Sequence, residues 1–304
     1  MNAQPDVHET KSGFVAVVGA TNAGKSTFVN RCVGTKVSIV SHKVQTTRSR
    51  ILGICMTENR QLIFIDTPGL FEPKRRLDRA MIAAAWGGAV DADMILLVID
   101  TVRGVDAAAK ATIAKIKDLK RPAFVALNKI DLLAREALLA LIGQVNALHQ
   151  FEETFLISAL NGDGIDEVIK TLSDRLPNGP YLFPEDQVSD MPMRLLAAEI
   201  TREQVFANLH QELPYATTVE TEDWKTLKDG SARVEQTIYV ERESQRSIVL
   251  GKGGSRVKII GATARATLEE ILEHRVHLFL FVKVRPKWGD DPARYREWGL
   301  DFNA

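Results

Sequence analysis

Gly19-Ala20-Thr21-Asn22-Ala23-Gly24-Lys25-Ser26-Thr27 is the stretch on which the reading of this chain turns. The apolar run Phe14-Val15-Ala16-Val17-Val18 before it predicts a buried strand, and residues 27–33 after it predict a helix. In that strand, loop and helix context, G-x-x-x-x-G-K-S predicts a phosphate cradle for a nucleoside triphosphate. Glycines let main-chain N–H groups converge on phosphate oxygens without a Cβ in the way. The helix N-terminus adds partial positive charge, and the Lys25 ammonium is expected on the β- and γ-phosphates. The Ser26 hydroxyl suits Mg²⁺, a hard cation that takes oxygen ligands.

Outward from this loop, apolar runs alternate with helical patterns. Strands are expected over residues 50–56, 61–65, 94–99, 123–127 and 154–157, and helices around 80–86 and over 105–118, 135–148 and 166–176. The alternation predicts an α/β doubly wound sheet with its motifs at the carboxyl ends of strands. Asp66-Thr67-Pro68-Gly69 follows one such strand. A carboxylate there can hold Mg²⁺ through water, and Gly69 allows close backbone approach to a γ-phosphate. Asn128-Lys129-Ile130-Asp131 follows another. A carboxylate at Asp131 can accept from guanine N1–H and the 2-amino group; adenine would leave it unpaired, so guanine is the expected base. Asn128 is expected to brace the loops and Lys129 to lie along the base. The Ser158-Ala159-Leu160 backbone can add an N–H to guanine O6.

Composition narrows the classes. The 304 residues carry 39 Lys+Arg against 39 Asp+Glu, so total charge points to no partner and only its distribution can. Two cysteines, Cys32 and Cys55, without C-x-x-C spacing argue against a disulfide framework or a zinc site and fit a reducing compartment. The polar residues 1–11 are not a secretory signal, and no apolar run approaches the ~20 residues of a membrane span. A cytoplasmic location is expected. The domains read as a flexible tail over 1–11, a nucleotide-binding domain over 12–177, a proline-stiffened linker over 178–190 and a second domain over 191–304.

That second domain orders as helix, two strands, helix, G-x-x-G, helix, strand, a smaller α+β unit. Helices are expected over residues 193–209 and 262–274, and strands over 217–224, 233–240 and 276–284. Gly251-Lys252-Gly253-Gly254 between short apolar helices lets a nucleic-acid backbone approach its N–H groups. Lys252, Arg256 and Lys258 supply charge there. Residues 242–288 hold ten Lys/Arg and four Asp/Glu, a local basic surface inside a neutral protein. Ile248, Val249, Val257 and Ile259 are candidates for an apolar groove, some of which must instead be core.

Together, Gly19–Ser26, Thr46-Thr47, Asp66–Gly69, Asn128–Asp131 and Ser158–Leu160 resemble the motif set of translation-factor-related small GTPases. With Gln45-Thr46-Thr47-Arg48, D-T-P-G-L and a G-x-x-G module, nearly the whole chain is similar to the Era family of bacterial GTPases. The resemblance implies a P-loop GTPase domain with a mostly parallel sheet, followed by a KH domain with its extra helix at the start. It implies GTP/GDP and Mg²⁺ as ligands, with Thr46 or Thr47 contacting Mg²⁺ and the γ-phosphate. As partners it implies the small ribosomal subunit and 16S rRNA near its 3′ end; a monomer is expected. Where Ras-like enzymes carry a water-orienting glutamine this chain has Leu70, so slow hydrolysis is expected. Asn22 stands where related loops bind K⁺, which would act as an arginine finger does. Two other classes compete with this one: a small-molecule phosphoryl transferase, disfavoured by Asn128–Asp131, and a peripheral membrane GTPase using its basic surface on the inner membrane.

Overall fold

The computed structural model describes residues 10–41, 43, 46–73, 75–210 and 212–304. Most of the expected tail, residues 1–9, and Gln45 lie outside the described residues. Contacts divide the chain into two compact units. One comprises residues up to Ser38, Thr47–Asp190 and Tyr295–Ala304; the other comprises Ile39–Thr46 and Met191–Arg294.

In the first unit, β1 (Lys11–Val18) runs into the glycine loop and α1 (Lys25–Val33). The hairpin β2 (Ile51–Thr57) and β3 (Arg60–Asp66) follows, then α2 (Arg76–Asp91) and β4 (Met94–Asp100). After these come α3 (Ala107–Leu119), β5 (Ala123–Asn128), α4 (Arg135–Leu148), β6 (Thr154–Ile157) and α5 (Ile165–Asp174). The sheet order is β2-β3-β1-β4-β5-β6. Only β2 and β3 pair antiparallel, as a hairpin must, and the other pairings are parallel.

Apolar residues on successive strand positions divide between the sheet's two faces. Val15 and Val17 join the core under α1 and α5, whereas Ala16 and Val18 join the core on the opposite face. β4 is buried along its whole length, which is why it reads as an unbroken apolar run rather than an alternating one. The helix expected around residues 80–86 begins earlier, at Arg76, because the Asp78 carboxylate accepts the Arg75 N–H at 2.9 Å and caps its first turn. Both cysteines are buried free thiols, and burial pushes Cys55 up to about 11.

Residues 178–190 form no helix or strand, yet they are strapped to this unit. Buried Gln61 accepts the N–H groups of Leu182 and Phe183 and donates to the Phe183 carbonyl. The Ile54 N–H reaches the Val188 carbonyl at 2.9 Å, and Leu52 N–H reaches the Asp190 carboxylate at 3.0 Å.

The second unit contains α6 (Met193–Asn208), β7 (Thr217–Thr226), β8 (Ala232–Val240), α7 (Glu243–Leu250), α8 (Ser255–Leu272) and β9 (Val276–Val284). A short helix, α9 (Pro292–Glu297), follows. The sheet order is β7-β8-β9, antiparallel then parallel. Its helices cover one face, burying Val219, Ile238, Val240 and Val282 against Val205, Val249 and Ile260. The helix read over 262–274 extends back to Ser255. Gly261 interrupts the sequence pattern, but a Cβ there would stand 3.2 Å from Leu280, so its glycine is what lets the helix lie on β9.

Candidate functional site

The mutually parallel strands β1, β3, β4 and β5 deliver the first unit's loops to one end of the sheet. Gly19 turns at φ +150, and a Cβ there would meet the Val98 carbonyl at 2.3 Å. Gly24 ends the loop at φ +96, where a Cβ would stand 2.1 Å from Asn128 Nδ2. Between them, Asn22 is exposed in a left-handed conformation and Ala23 is buried. Lys25 opens α1. Its ammonium donates to the carbonyls of Gly19 at 3.1 Å and Ala20 at 2.9 Å, and burial lowers its pKa to about 8, with Asp66 opposing the shift. Thr27 sits half-buried one residue past Ser26.

An oxygen cluster surrounds Asp66. Ser26 Oγ donates to Asp66 Oδ2 at 2.7 Å, and Ser38 Oγ donates to the same oxygen at 2.6 Å. Thr47 Oγ1 lies 3.0 Å from Ser26 Oγ. Thr46 faces elsewhere: its hydroxyl donates to the Lys43 carbonyl at 2.7 Å, and its own carbonyl accepts from Arg202. Burial raises the Asp66 pKa, opposed by the two serine hydrogen bonds and Lys25. Asp66 Oδ1 is buried without a hydrogen-bond partner among the described residues. A fully buried carboxylate with one oxygen unmatched, ringed by hydroxyls, fits a hard divalent cation. Mg²⁺ therefore suits Ser26, Thr47 and Asp66, where it would neutralise phosphate charge.

The next residues close on the glycine loop. Thr67 Oγ1 donates to the Val17 carbonyl at 2.7 Å, and Pro68 is buried. A Cβ on Gly69 would stand 2.7 Å from Thr21 Cα, and Leu70 N–H donates to the Gly19 carbonyl at 3.0 Å. Leu70 itself is buried.

Asn128 joins three loops through one amide. Its Nδ2 donates to the Ala23 carbonyl at 2.7 Å, and its Oδ1 accepts the Ala159 N–H at 2.9 Å. Lys129 takes a left-handed φ of 70 and its ammonium pairs with Asp100 at 2.5 Å. Asp131 is exposed in the short 3-10 turn that follows. Ser158 and Ala159 are buried, while Leu160 is exposed.

Several residues went unread in the sequence. Ser38 completes the Asp66 cluster, held there by Asn30, whose Oδ1 accepts the N–H groups of Val37 and Ser38. Asp100 steers Lys129, and Arg31 donates to the carbonyls of Ala159 and Leu160. Asp100 had a signal: it ends an apolar strand just as Asp66 does, and it lies opposite Asn128 in the register. Ser38 and Arg31 had none, since their partners lie far away in sequence.

In the second unit, α7 ends at Leu250 and Gly251 turns at φ +72 against Arg256. Gly253 and Gly254 follow at φ +60 and +76, and a Cβ on either would meet nothing within 4 Å. Lys252 and Lys258 are exposed, whereas Arg256 is half-buried and donates to the Ile248 carbonyl. Of the groove candidates, Val249 is core and Val257 packs on it; Ile248 and Ile259 are the exposed pair.

Comparison with known proteins agrees with this geometry. A family model described as "50S ribosome-binding GTPase" matches residues 14–129, and a KH domain model matches residues 212–289. The GTPase Era of Sinorhizobium medicae is 60% identical over 293 residues, covering 96% of this chain and 94% of the relative. The chain belongs to the Era family of GTPases. The family's Afipia carboxidovorans member is 58% identical over 98% of this chain and 97% of its own length. A solved Era, in complex with MgGDPNP and nucleotides 1506-1542 of 16S ribosomal RNA, superposes with a TM-score of 0.91 at 41% identity, covering 96% of this chain and 99% of that one. The P-loop GTPase fold and the KH module expected from the sequence are thus both present.

Proposed function

We propose that this chain is a GTP-operated RNA-binding switch that assists assembly of the small ribosomal subunit by holding 16S rRNA near its 3′ end. The observation that carries the nucleotide half is Asn128, which ties the phosphate loop, the base loop and the loop after β6 into one frame. The RNA half rests on open glycines at 253 and 254 with Lys252 and Lys258 beside them, and on the RNA held by the solved relative.

In this reading the N–H groups of residues 19–27 cradle the phosphates and Lys25 binds the β- and γ-phosphates. Ser26, Thr47 and Asp66 hold Mg²⁺; Thr46, turned toward Lys43, has no part in that set in the conformation described. Residues 66–69 carry the γ-phosphate contact through the Gly69 backbone. Asp131 reads guanine, Lys129 lies along the base, and the Ala159 N–H reaches O6. Leu70 offers no group to orient water, so turnover is slow, and Asn22 would hold a K⁺ that would supply positive charge at the phosphates. Equal rates in potassium and sodium buffers would remove the K⁺ role.

Gly251–Gly254 and the exposed Ile248 and Ile259 take about four nucleotides of single strand. Hydrolysis releases the RNA, and the chain acts as a monomer. Among the described residues no helix is long and apolar enough to cross a membrane. A peripheral contact through the basic surface is checked by liposome sedimentation, which single-stranded RNA is expected to compete away.

The test is binding of a labelled RNA copied from the 3′ end of 16S rRNA, at stated salt, with GDPNP against GDP. Tighter binding with GDPNP that is lost in the Gly253→Asp, Gly254→Asp double variant supports the switch. Binding indifferent to nucleotide would leave two working domains without coupling.

A further inference from the structure

The long helices α6, α7 and α8 cover one face of the second unit's sheet; on the other face Arg294 of α9 pairs with Glu220 and lies over Tyr239, and alternation along β9 divides its side chains. Val276, Leu278, Leu280 and Val282 turn toward the helical core. Phe279 and Phe281, two residues apart, turn the other way and are 45% and 48% exposed. A strand rise of about 3.3 Å sets such rings roughly 6.6 Å apart. The Arg233 guanidinium lies 5.0 Å from the Phe279 ring centroid, and Lys283 is exposed two residues beyond Phe281 with no salt bridge among the described residues. The acids of this face are engaged: Glu235 pairs with Arg233, Glu220 with Arg294, and Glu222 accepts the Tyr239 hydroxyl at 2.7 Å.

We infer that Phe279 and Phe281 form a stacking platform for single-stranded RNA on this outer face, with Arg233 and Lys283 as its phosphate contacts. The inference rests on the RNA-binding reading above and extends it to a second surface. Three observations select RNA as the occupant. The face pairs aromatic rings with cations: Arg233, paired with Glu235, lies over the Phe279 ring, and Lys283 has no salt bridge among the described residues, which is the chemistry that stacks bases and meets phosphate. Its apolar area is small: two rings about half exposed offer roughly 200 Å², far below the ~800 Å² per partner of a standard protein interface. The platform is also continuous with the glycine-loop side of the unit. β9 is an edge strand, Arg246 Nε donates to the Val282 carbonyl from α7, and Gly261 of α8 lies on Leu280. A strand held at Gly251–Gly254 that crosses the free edge of β9 arrives at Phe281 and then Phe279. A KH groove clamps only about four nucleotides, so a longer RNA must meet further surface.

The experiment uses the full chain with GDPNP and two labelled RNAs from the 3′ end of 16S rRNA, one of five nucleotides and one of twenty. The wild type is expected to bind the long RNA more tightly than the short one. Phe279→Ala, Phe281→Ala is expected to weaken the long RNA about tenfold or more while leaving the short RNA and the melting temperature unchanged. Phe281→Trp keeps the long-RNA affinity and Phe281→Leu loses it, which separates stacking from apolar burial. Unchanged long-RNA binding by the double variant overturns the platform, as does an equal loss on both RNAs. Unchanged RNA binding with lost binding to purified small-subunit proteins would assign the face to a protein instead. Failure of the wild type to bind the short RNA would strike the glycine-loop reading itself; a bound short RNA without gain from length strikes only the platform.

Discussion

Two glycine-rich loops bind phosphate in this reading, and they need their glycines for different reasons. In the first unit the glycines are demanded by the protein: a Cβ at Gly24 would strike Asn128 Nδ2 at 2.1 Å, and one at Gly69 would strike the Thr21 backbone. In the second, Gly251 is also fixed by the fold, since a Cβ there would stand 2.9 Å from Arg256, but a Cβ on Gly253 or Gly254 would meet nothing within 4 Å, and only their left-handed φ values favour glycine. The first loop is therefore part of the fold, so damage to it reads as lost stability together with lost binding. The second, at Gly253 and Gly254, is a surface kept bare, and damage there is expected to show mainly in binding.

The largest break in this contrast is Lys25→Ala. It removes a buried ammonium from the phosphates, and nucleotide affinity is expected to fall at least a hundredfold by fluorescent-nucleotide titration. RNA affinity measured without nucleotide is expected to stay as it was. Gly24→Ala comes next: Asn128 has to give way, so melting should drop by several degrees as nucleotide affinity falls, both readable in one calorimetric series with and without GDP. In Gly253→Asp, Gly254→Asp the RNA affinity is expected to fall tenfold or more while melting drops less than in Gly24→Ala, because no atom has to move aside and only the left-handed φ, about 1 kcal/mol at each Asp, opposes the change. An equal loss of melting temperature in the two glycine series would erase the contrast.

The smallest effect concerns pH. The Tyr239 hydroxyl lowers the Glu222 carboxyl below its ordinary 4.5, with Thr237, Lys283 and Arg285 adding to this. The folded state thus holds that proton less tightly than the unfolded chain does. The stabilisation is whole above about 4.5 and is lost as pH falls through the lowered folded value. Tyr239→Phe is expected to melt slightly below the parent at neutral pH, with the difference closing under acid; a gap that persists at pH 3 would contradict it.

Much of this was legible in the sequence because local rules carried it. The alternation of apolar runs and helical spacing placed the nine strands of the described residues to within two or three residues, since each strand's burial is written in its own side chains. Gly19–Ser26, Asp66–Gly69 and Asn128–Asp131 were legible because each is a contiguous motif at a strand's end. What escaped depended on distance. The different placement of Thr46 and Thr47 depends on the chain's path, which brings Thr47 to Ser26 and turns Thr46 toward Lys43. The sorting of Val249 into the core and Ile248 and Ile259 to the surface needed the helix's rotation. Phe279 and Phe281 read simply as an apolar strand, and only their exposure on the face opposite the long helices makes them noticeable. The aromatic residues near the end of the sequence divide: Trp288 donates to the Ala216 carbonyl, while Trp298 and Phe302 stack with Arg48 and Arg76.

The strap over residues 178–190 has a practical bearing on shelf life. β2 is an outer strand of the large sheet, and its Leu52 and Ile54 N–H groups are taken by Asp190 and Val188. A fragment cut after Pro177 would present that strand bare to other copies of itself, a template for sticking edge to edge. One cut after Asp190 keeps its own selvedge, and it should remain clear in concentrated solution where the shorter piece turns cloudy.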